Sequence, residues 1–249
     1  MIETEIPNFD NLYQSYTTVF DNIEQRIIEL NHGLDPNNFI EYQKELVKFD
    51  AKLRLGMAIS EIELNETFVR TKFGDLRECH LMFYKLADIW FAYEKFFKLY
   101  YLAFNRSETS KIVWLENSSH TDYLNNAEIQ GALTRVNSEI SSEFNNHIDQ
   151  LKDYILYCSQ LAKDGQKTRL SSIAQNISSL ILLPNFSHKD ILSLTYGIRN
   201  NFVHNGEITI YPETFSYTRK NKLLKSLYKY TVVLTLSAAK LTTNHKLMN

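Results

Sequence analysis

Three side chains able to hold a phosphate and move its protons, Arg199, Asn200 and His204, fall within six residues of an otherwise apolar helical pattern. An arginine fork can bind two phosphate oxygens and offset the charge that builds in a transition state. An imidazole titrates near neutral pH and can move a proton at an attacking or a leaving oxygen. An asparagine amide can hydrogen-bond the phosphate or orient the imidazole. Together these groups suit attack of an RNA 2′-hydroxyl on the adjacent phosphate, a reaction that in principle needs no metal or other cofactor. Because the nucleophile is the 2′-hydroxyl, the expected substrate is single-stranded RNA and not DNA.

Spacing constrains how the three can meet. Four residues advance an α-helix by about 400°, so Asn200 and His204 share a face, whereas Arg199 lies about 140° from His204. Either Arg199 reaches along the helix, or the helix distorts, or a second copy of the chain completes the site across a two-fold axis. A bland account also exists, in which Arg199 pairs with a surface acid and His204 interacts with the last helix carbonyls. It explains each residue but not their combination. With 9 arginines and 7 histidines, the bare Arg-to-His spacing arises by chance in roughly one sequence in four, and requiring Asn beside the Arg lowers this to roughly one in fifty. Asn200 therefore carries most of the specificity.

The elements that must position these residues read as helices. Ser187, followed three residues on by Asp190, resembles a capping box. Ile191, Leu194, Ile198 and Phe202 then form an apolar stripe that Gly206 is placed to end. Upstream, helical spacing is expected over 8–31, from Phe39 through a bend near Gly56 toward Phe73, and over Leu76–Phe104, which is apolar nearly all round. That aromatic run reads as core or subunit interface more readily than as a base-stacking platform. A polar connection over 105–121 precedes further helical spacing from Ile129 to Leu156. Gly165 reads as a break, and a short helix follows over Leu170–Leu183. Alternation over 207–217 around Pro212 is compatible with a short β-hairpin. The last helix, about Lys220–Lys246, carries Lys222, Lys225 and Lys229 among a run of cations, and no acid follows Glu213. Its outer face reads as basic, either a solvated surface or an RNA contact.

Composition bounds the rest. The 249 residues are 44% hydrophobic and 22% charged, with only 7 Gly and 4 Pro, so an all-α, mainly helical fold is expected. A net charge of −2 argues against wholesale coating of nucleic acid. Cys79 and Cys158 are far apart and lack metal-ligand spacing, which favours a reducing, cytoplasmic setting and two buried thiols. The start, Met1-Ile2-Glu3-Thr4-Glu5, lacks the plan of a signal peptide, and Lys85, Asp88, Glu94, Lys95 and Lys98 spoil the most apolar stretch as a membrane span. His188 and His245 have no ligand-spaced partners, so no metal site is expected. Metalloprotease, P-loop, serine-hydrolase and Rossmann motifs are all missing.

The pattern Arg199-Asn200-x-x-x-His204 near the end of a helix resembles the signature of HEPN domains, with the resemblance covering about residues 76–246. It implies a HEPN-type helical bundle over 76–249 with an additional N-terminal helical region over 1–75, which itself matches no named family. It further implies a metal-independent endoribonuclease of the kind found in toxin-antitoxin, abortive-infection and antiviral defence systems, leaving a 2′,3′-cyclic phosphate and a 5′-hydroxyl. A homodimer with a composite active site and an antitoxin or other regulatory protein partner are implied as well. The stretch Asp88–Glu94 is similar to the first helix of that family, which makes Glu94 an auxiliary candidate; an ion pair with Lys98 is the plainer reading. A helical module that binds nucleic acid or protein without cutting remains the alternative.

Overall fold

The computed structural model describes residues 2–30, 37–63, 65, 74–108, 110–177, 182–205, 212 and 214–248. Among these the chain is mainly α-helical and contains no strand. The helices are α1 (Phe9–Leu30), α2 (Asn37–Ala58), α3 (Gly74–Phe104), α4 (Thr121–Leu124), α5 (Ala127–Phe144), α6 (Ile148–Leu161), α7 (Asp164–Ile177), α8 (His188–Asn205) and α9 (Tyr217–Met248). No helix among the described residues is long and apolar enough to cross a membrane. Cys79 and Cys158 are buried thiols.

Several boundaries differ from those expected. The pattern starting at Phe39 ends at Ala58 and does not bend at Gly56. Gly56 instead permits a close approach, since a Cβ there would lie 3.0 Å from the backbone nitrogen of Ile89. Gly165 does not break a helix either; α7 begins at Asp164, and the break is the extended Ala162 with Lys163. Most of the expected hairpin, 207–211 and 213, lies outside the described residues. Around it, Phe215 N donates to Pro212 O (3.0 Å) in a turn, and Tyr217 already opens α9.

The chain forms two compact units that are discontinuous in sequence. Unit 1 comprises 1–57, 88–132 and 231–249, and unit 2 comprises 58–87 and 133–230. Residues 1–57 thus share a unit with most of α3 and the end of α9. The core of unit 1 is aromatic: Tyr42, Phe49, Trp90, Tyr93, Phe96 and Trp114 are all but inaccessible. Two of these rings are linked by hydrogen bonds, for Trp114 Nε1 donates to Tyr93 Oη (2.5 Å) and that hydroxyl donates to Lys111 O (2.5 Å). The buried hydroxyls of Thr243 and Thr242 on α9 meet Tyr42 Oη (2.9 Å) and Tyr123 Oη (2.7 Å). Those pairings let a Thr-rich stretch of α9 lie in an apolar core at little cost.

Unit 2 holds α8. Phe83, Leu86, Ile140, Tyr154, Leu170, Ile191, Leu194, Leu223 and Leu227 are buried within it, each contributing on the order of 1.5–3 kcal/mol where an apolar side chain leaves water completely. The entry to α8 is set by Asn137 on α5, whose Oδ1 accepts from Phe186 N (2.6 Å) and whose Nδ2 donates to Phe186 O (2.9 Å). At the next residue the capping box closes: Ser187 N donates to Asp190 Oδ2 (2.9 Å) and Asp190 N donates to Ser187 Oγ (3.2 Å). Replacing Asn137 with Leu leaves both backbone groups of buried Phe186 unmatched, and a loss of about 2–3 kcal/mol in urea unfolding is expected.

His188, at the first position of α8, shares a hydrogen bond of 2.7 Å between its Nδ1 and Tyr230 Oη. Burial pushes its pKa from the ordinary 6.5 down to about 4. Between those values an unfolded chain takes up a proton that the folded chain refuses, so this contribution is complete above pH 6.5 and lost as pH falls toward 4. Unfolding measured across that window should steepen with acid in the wild type and be flatter in His188→Gln.

Candidate functional site

The end of α8 brings the three signature residues together within one chain. Arg199 is only 6% exposed, Asn200 is half-buried and His204 is exposed on the last turn. Arg199 Nη1 donates to Asn200 Oδ1 (2.7 Å) and lies 3.3 Å from His204 Nε2. The helix is regular through Asn205. Of the three ways to bridge the angular gap, the chain uses the first: the long arginine side chain reaches along an undistorted helix.

That geometry dictates a protonation pattern. A guanidinium has only donors, so this contact is a hydrogen bond only when His204 Nε2 is the acceptor. Asn200 Oδ1 is committed to Arg199, which leaves its amide nitrogen to donate elsewhere. An arginine meeting a histidine is not by itself distinctive in this protein. Arg219 also approaches His147 Nε2 (2.9 Å) and donates to Gln150 Oε1 (2.9 Å).

Asn200 and His204 line a cavity of about 340 Å³ enclosed by the end of α6, the start of α7 and one face of α8. Its walls include Ala162, Lys163, Asp164, Tyr196 and Asn201. The helices around it are pinned by side chains. Gln166 Nε2 donates to Ser193 O (2.6 Å), and Asn205 Nδ2 donates to Leu161 O at the end of α6 (3.3 Å). Gly197 is the contact point between α7 and α8, because a Cβ there would lie 2.9 Å from Leu170 Cδ1. Sequence reading passed over Lys163, Asp164 and Asn201, since they come together only once α6, α7 and α8 pack. The run of amides Asn200, Asn201 and Asn205 was the one signal available beforehand.

On the opposite side of α8, Phe202 stacks on Phe83 (centroids 4.9 Å apart, 16° between planes) and meets Tyr84 and His80 edge-on. Burial lowers the pKa of His80. Phe202 thus anchors the signature helix to α3 in place of contributing to the cavity.

The remaining candidates are placed elsewhere. Glu94 lies on the part of α3 that belongs to unit 1, and it pairs there with Lys111 Nζ (3.3 Å). The expected pair with Lys98 is not made; Lys98 Nζ lies 3.8 Å from Glu41 instead. Lys222, Lys225 and Lys229 do share one stretch of α9, but each has a carboxylate partner: Glu143 (2.6 Å), Glu78 (3.1 Å) and Glu139 (2.6 Å). Two further cations expected on the outer face are buried. Lys220 Nζ sits 5.1 Å from the Tyr154 ring centre, and Lys246 Nζ sits 5.0 Å from that of Phe39. His245 stacks on Phe104 (4.1 Å). No group of three or more His, Cys, Asp or Glu suited to hold a metal ion occurs among the described residues.

No family model, curated protein or solved structure matches the chain.

Proposed function

We propose that this chain is a metal-independent endoribonuclease of HEPN type that cuts single-stranded RNA by 2′-hydroxyl attack, acting as a toxin or in antiviral defence. The observation that carries the reading is one nearly buried guanidinium meeting both Asn200 Oδ1 and His204 Nε2 beside a cavity. A phosphodiester entering there offers anionic oxygens to Arg199, and those oxygens are stronger acceptors than a neutral imidazole. Arg199 transfers to the phosphate, which releases His204 Nε2 as a base.

Nε2 then takes the proton of the 2′-hydroxyl as that oxygen attacks phosphorus. The bond from phosphorus to the 5′-oxygen breaks, and a proton is delivered to the departing oxygen. The products are a 2′,3′-cyclic phosphate and a 5′-hydroxyl. Each chain brings one His204, so a second copy across a two-fold axis supplies the group that protonates the leaving oxygen. Asn200 holds the guanidinium in reach of the phosphate.

The test is cleavage of single-stranded RNA in EDTA by the wild type, Arg199→Ala and His204→Ala. Each variant is expected to lose about 100-fold or more in rate. His204→Ala is the cleaner variant, because that side chain is exposed and its removal disturbs no packing. Equal cleavage by all three proteins defeats the reading. Intact RNA in all three leaves the non-cutting module.

The lysines of α9 make a separate prediction. If Lys222, Lys225 and Lys229 guide RNA, exchanging them together for Glu raises the dissociation constant and flattens its dependence on salt. Filter binding over a salt series measures both, and unchanged binding removes these residues from the interface.

A further inference from the structure

The chemistry proposed for Arg199, Asn200 and His204 leaves most of the adjoining cavity unused. At about 340 Å³ it is far larger than a phosphate group needs and falls within the size range that accepts small organic ligands. Existing hydrogen bonds sort its walls by what they still offer. Asn200 Oδ1 is engaged by Arg199, so its Nδ2 remains to donate. Asn201 offers nothing further, since its Oδ1 accepts from Asn205 Nδ2 (3.3 Å) and the residue is 1% exposed. Lys163, exposed at the edge, adds an ammonium.

Against these two donors stands one carboxylate, that of Asp164. Its backbone has φ of 46°, a left-handed conformation that Asp and Asn tolerate better than most residues. Tyr196 contributes an aromatic ring to the same walls.

We propose that this cavity takes a guanine base adjoining the phosphate held by Arg199 and His204. The assignment of that phosphate rests on the nuclease reading; the base preference rests on the cavity. Guanine presents two adjacent acceptors, O6 and N7, to donors of the kind supplied by Asn200 and Lys163. Its N1–H and exocyclic amine supply the donors that a single carboxylate such as Asp164 accepts. Adenine places an amino group where guanine has O6, which sets donor against donor. Pyrimidines have no N7 and fill less of the space. The Tyr196 ring provides a face on which the base stacks.

The experiment titrates the full chain with 3′-GMP, 3′-AMP, 3′-CMP, 3′-UMP and inorganic phosphate by calorimetry, and maps the ends produced from an RNA of mixed sequence. Two variants accompany the wild type. Asp164→Asn keeps a residue suited to the backbone at that position, and Ala162→Phe fills the cavity from its edge. The wild type should bind 3′-GMP at least about 10-fold more tightly than the other nucleotides or phosphate, and its cut ends should map to guanosine. Both variants should abolish that difference. Nucleotide affinities within about threefold of one another, or a guanine preference that survives both variants, overturn the proposal. Selective 3′-GMP binding without RNA cleavage upholds the cavity and defeats the nuclease. Cleavage at every base does the reverse.

Discussion

A guanidinium cannot shed its charge, so one that is almost excluded from water must be surrounded by acceptors. Arg199 is in that position, and the arrangement at the end of α8 follows from it. Its Nη1 is met by Asn200 Oδ1 and faces His204 Nε2. The second contact exists only while that imidazole nitrogen is unprotonated. The orientation of the Asn200 amide, the tautomer of His204 and the extension of Arg199 are therefore one choice and not three.

Such a cluster is useful only if α8 keeps its register, since a slip of one residue rotates every side chain by about 100°. Unit 2 prevents this at both ends and in the middle. Asn137 grips the backbone of Phe186 before the helix starts, and the Ser187–Asp190 box fixes the first turn. Gln166 holds Ser193 O, Gly197 lets α7 approach closely, and Asn205 ties the final turn to Leu161 O. Most of these ties are polar groups with a specific geometry, so they select one register where apolar packing alone would accept neighbours. Gly197 lets α7 approach α8 closely, and the cavity lies beside that contact with Ala162 and Lys163 in its walls.

Much of this was legible in the amino-acid order, and the parts that were not share a cause. The Ser187 and Asp190 spacing revealed the start of α8 because a capping box is a local device. The helical character of α1, α3 and α9 showed in the recurrence of apolar residues. Gly56 and Gly165 misled, since a glycine signals a break, a close approach or nothing, and only neighbours distant in sequence decide which. The lysines of α9 misled for the same reason. Their partners Glu78, Glu139 and Glu143 come from α3 and α5, and the rings that receive Lys220 and Lys246 come from elsewhere in the chain. A two-unit arrangement assembled from separated segments is likewise invisible to a reading that divides the chain at residue 75. The angular gap at Arg199 is closed by the length of its own side chain, the first of the three routes that the spacing allowed.

Charge in the fold is distributed differently from charge in the sequence, and this bears on how an RNA could be held. The run of cations after Glu213 suggests an electrostatic track. In the fold, each of Lys222, Lys225 and Lys229 already has a carboxylate within 3.1 Å. An RNA phosphate approaching any of them must displace a glutamate that then remains nearby, so the exchange yields less than the release of a dilute counterion. With a net charge of −2 there is no general field to compensate. The groups whose hydrogen-bonding capacity is unspent, the amide nitrogen of Asn200 and the ammonium of Lys163, lie at the cavity beside α8 and not on the outer face of α9.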